Sequence, residues 1–230
     1  MKNLAIITAR GGSKRIPRKN IKNFLGKPII AYSIESALKS GVFDEVMVST
    51  DDDEIAEIAE KYGAKIPFKR SEATSNDIAT TTDVIIEVIE EYNKRGIFFD
   101  YACCLYPTAP FVSSESIKAG FELMIKNKTT AAIPLVKYSY PIQRALTIDK
   151  DGKLNMIYPE HSRTRSQDLQ PVFHDAGQFY WFKVSEINHD MELLKMKASP
   201  IIISETQVQD IDTEEDWTLA ELKYKNCFKI

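Results

Sequence analysis

The sequence is poor in cysteine and histidine, and this removes several chemistries at once. Cys103, Cys104 and Cys227 are its three cysteines, the first two adjacent in an apolar run. They cannot build a disulfide framework, and they suit a reducing compartment. His161, His174 and His189 stand at no metal-ligand spacing from any cysteine, which argues against a zinc centre. No charge sign dominates: 30 Lys and Arg face 33 Asp and Glu, for a formal net charge of −3. Such a balance is too even for electrostatically driven nucleic-acid binding. The apolar run Leu4 to Ile7 is too short for a signal-peptide core or a spanning helix, so no membrane partner and a cytoplasmic location are expected. Neither a Gly-Lys-Ser/Thr phosphate loop ending nor a Gly-x-Gly-x-x-Gly turn occurs, and there is no internal repeat, low-complexity tract or linker.

What is present is ordinary globular material, 43% hydrophobic and 27% charged over 230 residues. At about 150 residues per domain, this favours one domain over residues 1–230 with a modest appendage. Short apolar runs alternate with segments of helical period, the pattern of a layered α/β domain with a mainly parallel sheet. Strands are expected at Leu4 to Ala9, Glu45 to Thr50, Ala64 to Phe68, Tyr101 to Tyr106, Ala131 to Lys137, Gly177 to Lys183 and Ile201 to Ser204. Helices are expected from Ile30 to Gly41, after the cap candidates Asp51 to Asp53, around Ile85 to Tyr92, over Ser114 to Lys126, and from Glu214 behind a capping box of Thr213 and Asp216. A polar loop is expected over 70–80. Residues 138–175, with Tyr138, Tyr140, the Asp151-Gly152 turn and a basic stretch at Arg163 to Arg165, read as an inserted β-arm with a binding role.

Two segments carry chemistry. The first strand runs into Arg10-Gly11-Gly12-Ser13-Lys14-Arg15, then Arg18-Lys19-Asn20, where open α/β sheets bind ligands. Glycine amides, a serine hydroxyl and five cations in one turn suit a polyphosphate; a solvated basic loop is the plain alternative. Near the other end, Asp210 and Asp212 alternate in an extended segment, which places both carboxylates on one side. That arrangement suits Mg2+ completed by substrate phosphates, while the plain alternative is a cap for the last helix. Cys103 and Cys104 read as core residues, and Phe179 to Phe182 as a buried strand.

In order, Ile7 to Lys14 with Lys19-Asn20, Ser49-Thr50-Asp51, Arg70 with Asp77, Pro107-Thr108-Ala109-Pro110 and Asp210-Ile211-Asp212-Thr213 resemble the acylneuraminate cytidylyltransferase family (CMP-sialic acid synthetase-like) over nearly the whole chain. Tyr106 to Pro110, Tyr140 to Ala145, and Ser166-Gln167-Asp168 leading to His174 to Trp181 most resemble the pseudaminic acid cytidylyltransferase branch. The resemblance implies a three-layer α/β/α Rossmann-like nucleotide-diphospho-sugar transferase fold. It also implies a homodimer joined by the 138–175 β-arm and a Mg2+ cofactor. The implied reaction moves CMP from CTP to the anomeric hydroxyl of a nine-carbon 2-keto sugar acid (a nonulosonic acid, pseudaminic acid first), with loss of pyrophosphate, for glycan or flagellin glycosylation. In that reading Gly11, Gly12, Ser13, Lys14 and Arg15 hold the triphosphate, and Arg10, Asn20 and Arg70 contact the nucleotide. Thr81 adds a hydroxyl, Lys19 approaches the reacting phosphate, and Asp210 and Asp212 hold the metal. Arg165, His174 and Gln178 are the expected sugar contacts, Arg165 because a guanidinium grips a carboxylate in two places.

Tyr106 stands where the family usually has Gln, and Ala176 where it usually has Asn. Both departures bear on sugar contacts and put sialic acid specificity in doubt, leaving legionaminic and N-acetylneuraminic acids as alternative acceptors. A non-catalytic nucleotide sensor is the alternative from another class, opposed by the two intact aspartates. A dinucleotide-dependent oxidoreductase fails on the missing glycine fingerprint.

Overall fold

Alternation along single strands sets the layers. In the computed structural model, which describes residues 1–189 and 193–229, the buried run Asn3–Thr8 forms β1. Its Leu4 and Ile6 point to one face of the sheet and its Ala5 and Ile7 to the other, as a period of two requires. A hairpin of β2 (Asn23–Phe24) and β3 (Lys27–Pro28) leads into α1 (Ile29–Ser40). β4 (Glu45–Ser49) and α2 (Asp53–Lys61) follow, then the short α3 (Glu72–Ser75), α4 (Thr81–Lys94), β5 (Tyr101–Leu105), α5 (Ser114–Asn127) and β6 (Ala131–Lys137). The arm carries the hairpin β7 (Leu146–Ile148) and β8 (Leu154–Met156). The chain closes with β9 (Phe173–Asp175), β10 (Phe179–Lys183), β11 (Ala198–Ile203) and α6 (Glu214–Phe228).

The main sheet runs β11-β6-β10-β5-β1-β4, with β9 added beside β6. Stripes from α1 (Ile30, Ile34), α2 (Ile55, Ala59) and α5 (Ile117, Met124) cover one face. Ile85, Val88 and Tyr92 of α4 cover the other. This is the expected three-layer α/β/α arrangement. β1, β4, β5, β6 and β11 share one direction, and β9 and β10 oppose them. Two expectations need correction. Residues 64–68 contribute one bridge, Lys65 to Met47, rather than a strand, because Pro67 lacks the N–H a ladder needs. The polar loop at 70–80 contains the single-turn helix α3.

Direction decides what meets at the carboxyl edge. Thr8 at the end of β1 pairs with Ser49 of β4, and Ile7 with Leu105 of β5, so the segments after all three strands emerge together. Because β10 is antiparallel, its entry segment 174–178 arrives at that same edge, and β11 delivers 204–210 there as well. A third apolar cluster holds Ile16 of the glycine loop and Ile211 between the two aspartates, along with Phe24, Tyr32 and Trp217 of α6. Phe24 meets Tyr32, Trp217 and Tyr224 edge-on, each at 5.5 Å between ring centres, a favoured aromatic geometry. This cluster ties the two ends of the sequence to each other.

Cys103 and Cys104 are fully buried on β5, and burial pushes the Cys104 thiol up to about 12. Both pack as core residues rather than nucleophiles. Phe179 to Phe182 are likewise buried.

Candidate active site

The chain leaving β1 is held open by its own acids. Asp51 Oδ1 accepts the Gly11 amide at 2.9 Å. A Cβ on Gly11 would lie 2.7 Å from Asp52 Oδ2, so glycine is what lets the loop pass this close. Asp52 caps α2 by accepting the Ile55 amide at 3.0 Å and accepts two bonds from Arg18. Arg18, which adopts a left-handed backbone (φ 55), is thereby turned toward Asp52 and Glu54, not into the cavity beside the loop. The Arg18 guanidinium holds the Asp52 carboxyl down at about 2 against an ordinary 3.8.

A depressed carboxyl contributes stability that is present above its unfolded value and lost as pH falls through the folded one. Asp52→Ala, which removes both cap and ion pair, is expected to cost about 1–2 kcal/mol at pH 7. The deficit against the parent should shrink between pH 4 and pH 2 in thermal melts. A pH-independent deficit would count against the ion pair.

Between the loop and the end of β5 lies a cavity of about 440 Å3, lined by Thr8, Arg10, Ser13, Lys14, Arg15, Lys19, Asn20, Thr81, Tyr106, Pro107 and Thr108. It sits between the carboxyl ends of β1 and β5, where the strand order reverses, β1 leading on to β4 on one side and β5 to β6 on the other, the favoured ligand position in such sheets. Four of its residues are cationic, and two aspartates compensate them. Asp77 accepts from Arg10 at 2.9 Å and from Lys14, and Asp212 accepts from Arg15 at 2.9 Å. Lys19, only 20% exposed, donates to the Ile211 carbonyl at 2.7 Å and lies 3.5 Å from Asp212 Oδ1. Asn20 donates to the Arg10 carbonyl at 2.9 Å and braces the loop from within. An incoming polyanion would exchange carboxylate for phosphate on each of these cations.

A smaller pocket of about 200 Å3 adjoins it, formed by Arg10, Arg70, Thr74, Asn76, Asp77 and Thr81 with their neighbours. Arg70 is buried and donates to the Ser49 carbonyl at 2.6 Å and the Ser49 hydroxyl at 3.0 Å; burial lowers its pKa. On the other side a second cavity, also about 440 Å3, is lined by Tyr106, His174, Asp175, Tyr180, Asp210, Lys223 and others. Tyr106 is the residue common to both large cavities. Burial and the Asp212 carboxylate raise the Asp210 carboxyl, which marks the two acids as close neighbours.

Most of the residues singled out from sequence therefore meet at one sheet edge: Arg10, Ser13, Lys14, Arg15, Lys19, Asn20, Arg70 and Thr81 around the first two pockets, His174 and Asp210 in the wall of the third, and Asp212 against Arg15 and Lys19. Gly11 and Gly12 shape the turn without lining a cavity. Gln178 is buried and donates to the Gln207 carbonyl at 2.6 Å, so it braces the 204–210 segment from behind the wall. Arg165 lies away on the exposed arm, 2.7 Å from Asp168. Asp175, Tyr180 and Lys223 were not singled out as site residues in the sequence, because a lone acid, a strand tyrosine and a helix lysine carry no spacing signal.

Among known proteins, the family profile described as cytidylyltransferase matches residues 4–222. The pseudaminic acid cytidylyltransferase of Campylobacter jejuni subsp. jejuni serotype O:2 is 45% identical over 98% of this chain and 97% of its own. The CMP-N,N'-diacetyllegionaminic acid synthase of Legionella pneumophila subsp. pneumophila is 32% identical over 96% and 95%. Among solved structures, CMP:2-keto-3-deoxy-manno-octonic acid synthetase complexed with CTP superimposes with a TM-score of 0.70 over all of both chains at 19% identity, a likeness of fold. With the profile and these relatives each spanning nearly all of the sequence, the chain belongs to the cytidylyltransferase family.

Proposed function

We propose that this chain transfers CMP from CTP to the anomeric hydroxyl of pseudaminic acid and releases pyrophosphate. The observation that carries the reaction is the pair of adjacent cavities joined at Tyr106, one basic and one mixed in charge. The 45% identity over 98% of the chain favours this acid among its relatives' substrates. The triphosphate lies on Arg10, Ser13, Lys14, Arg15 and Lys19, and the nucleoside toward Arg70 and Thr81. The acceptor occupies the cavity of His174, Asp175 and Tyr180. Its hydroxyl oxygen bonds to the α-phosphorus as the bond to pyrophosphate breaks, and its proton passes to solvent. Catalysis is then positioning plus neutralisation of charge on the phosphates, supplied by the lysines and arginines above.

Asp210 and Asp212 suit Mg2+, because burial and the neighbouring Asp212 carboxylate raise the cost of ionising Asp210, which a divalent cation relieves. When bound, Mg2+ supplies charge neutralisation at the phosphates and a more acidic attacking hydroxyl. The proposal includes a homodimer, since the arm exposes Tyr140 at 85%, Leu146 at 57%, Ile148 at 70% and Leu154 at 66%, an apolar surface that a second copy would cover. It also includes a cytoplasmic location, which three free thiols suit.

The test is pyrophosphate release from CTP with a panel of pseudaminic, legionaminic, N-acetylneuraminic and eight-carbon 2-keto acids, with and without Mg2+. Turnover is expected with pseudaminic acid and Mg2+ together, and light scattering should give twice the chain mass of 26.2 kDa. Binding of CTP with no product from any acid would replace the enzyme with a nucleotide sensor.

A further inference from the structure

The acceptor cavity contains a cation with no carboxylate within 4 Å among the described residues. Lys223, on α6, is partly buried and lines this cavity. Its Nζ donates to the Val208 carbonyl at 2.9 Å, to Gln209 Oε1 at 3.0 Å and, more loosely, to the Glu205 carbonyl at 3.4 Å. All three partners are neutral oxygens, so the ammonium keeps its whole charge while giving up part of its hydration, an arrangement that an anion would relieve. The 3.4 Å bond is the weakest of the three, and its proton is the one free to turn toward a ligand.

The other charged groups lining the cavity are unfavourable to an acid. Asp175, Glu205 and Asp210 are carboxylates. Asp175 is already engaged by the Gly177 amide at 3.0 Å and the Tyr180 hydroxyl, and His174 Nδ1 lies 2.8 Å from the Asp175 carbonyl. A 2-keto sugar acid bears its carboxylate on the anomeric carbon, beside the hydroxyl that attacks. That carboxylate must therefore sit near Tyr106 and Asp210, within a cavity whose standing positive charge is Lys223. Arg165, which sequence pattern suggested for this task, is ion-paired on the arm outside the cavity.

We infer that Lys223 receives the carboxylate of the acceptor acid. This rests on the second cavity being the acceptor site of the proposed reaction. Lys223 also fastens α6 to the segment that leads into Asp210, so the test must separate charge recognition from bracing.

The experiment compares the parent, Lys223→Met, Lys223→Arg and Arg165→Met, each with CTP and either pseudaminic acid or its C1 amide, read as substrate or as competitive inhibitor. For Lys223→Met, kcat/KM for the acid, or affinity for it, is expected to fall about ten- to a hundredfold. The KM for CTP and the affinity for the uncharged amide should stay within about threefold of the parent, and Lys223→Arg should retain most of the parent's use of the acid. Should Lys223→Met fail to fold, Lys223→Gln keeps a donor for Val208 and answers the same question. Equal losses on acid and amide would reduce Lys223 to a brace and overturn the inference. So would a loss confined to the acid in Arg165→Met with none in the Lys223 variants. A parent enzyme that ignores pseudaminic acid would instead remove the substrate reading itself, and this inference with it.

Discussion

Asp212→Ala is expected to lower kcat/KM for the sugar acid by roughly a hundred- to a thousandfold, the scale seen when a charge-positioning group is removed from an active site. Its carboxylate accepts from Arg15 at 2.9 Å and lies 3.5 Å from Lys19 Nζ. It thus aims two cations at the cavity and, with Asp210, forms the acidic pair proposed for Mg2+. Binding of CTP should respond differently. Without metal, removing an acid from a site for a tetra-anion relieves repulsion and leaves Arg15 and Lys19 free for phosphate, so calorimetry in EDTA should show CTP binding at least as tight as in the parent. Loss of turnover with preserved nucleotide binding is the signature sought. An Asp212→Ala protein that turns over at the parental rate would remove the acidic pair from the reaction, and weakened CTP binding in EDTA would mean that Asp212 only shapes the loop.

The second large effect is on stability. Trp181 on β10 is fully buried, stacks on Phe43 at 4.9 Å, meets Phe121 at 4.8 Å and donates its indole N–H to the Ile117 carbonyl at 2.9 Å. It is packed so closely that a Cβ on Gly120 of α5 would lie 3.1 Å from its Cδ1. Trp181→Ala removes this ring from between sheet and helix and leaves the Ile117 carbonyl without its indole partner. The expected cost is about 3–5 kcal/mol, a fall in Tm of roughly 10–15 °C for a chain of this length. Trp181→Phe should recover much of that, because ring volume contributes more than the single hydrogen bond. A Tm within 3 °C of the parent for the alanine variant would show that the cavity collapses and that β10 does not anchor α5.

The contrast between these two residues explains what was legible in the sequence. Segments whose fate is decided by their own neighbours were readable. The Thr213 and Asp216 capping box starts α6 as its spacing requires, and Ala131 to Lys137 forms a strand over the bounds its apolar run suggests. Where a local preference competes with partners far along the chain, the reading slipped. Ala64 to Phe68 has strand-like residues yet makes a single bridge, and nothing local announces that β10 runs against its neighbours.

The site divides in the same way. The cations of the 10–20 loop stand close together in sequence and could be read as a group, as could the alternating aspartates at 210 and 212. Lys223, Asp175 and Tyr180 could not, since they share one cavity only when β9, β10 and α6 deliver them to it. Arg165 is the opposite case, a suggestive residue type that the single chain leaves on the exposed arm, paired with Asp168.

Amino-acid order by itself determined the alternation of strands and helices, the caps and the basic turn after β1, because hydrophobic period, capping and glycine geometry act over a few residues. Tertiary structure alone decided that Lys19 meets Ile211 and Asp212 across some 190 positions, and that Lys223 reaches the second cavity with only neutral oxygens as its partners. Those outcomes depend on strand direction and on packing of the Phe24 and Trp217 cluster. They are paid for by apolar burial summed over the whole domain, which no short window of sequence contains.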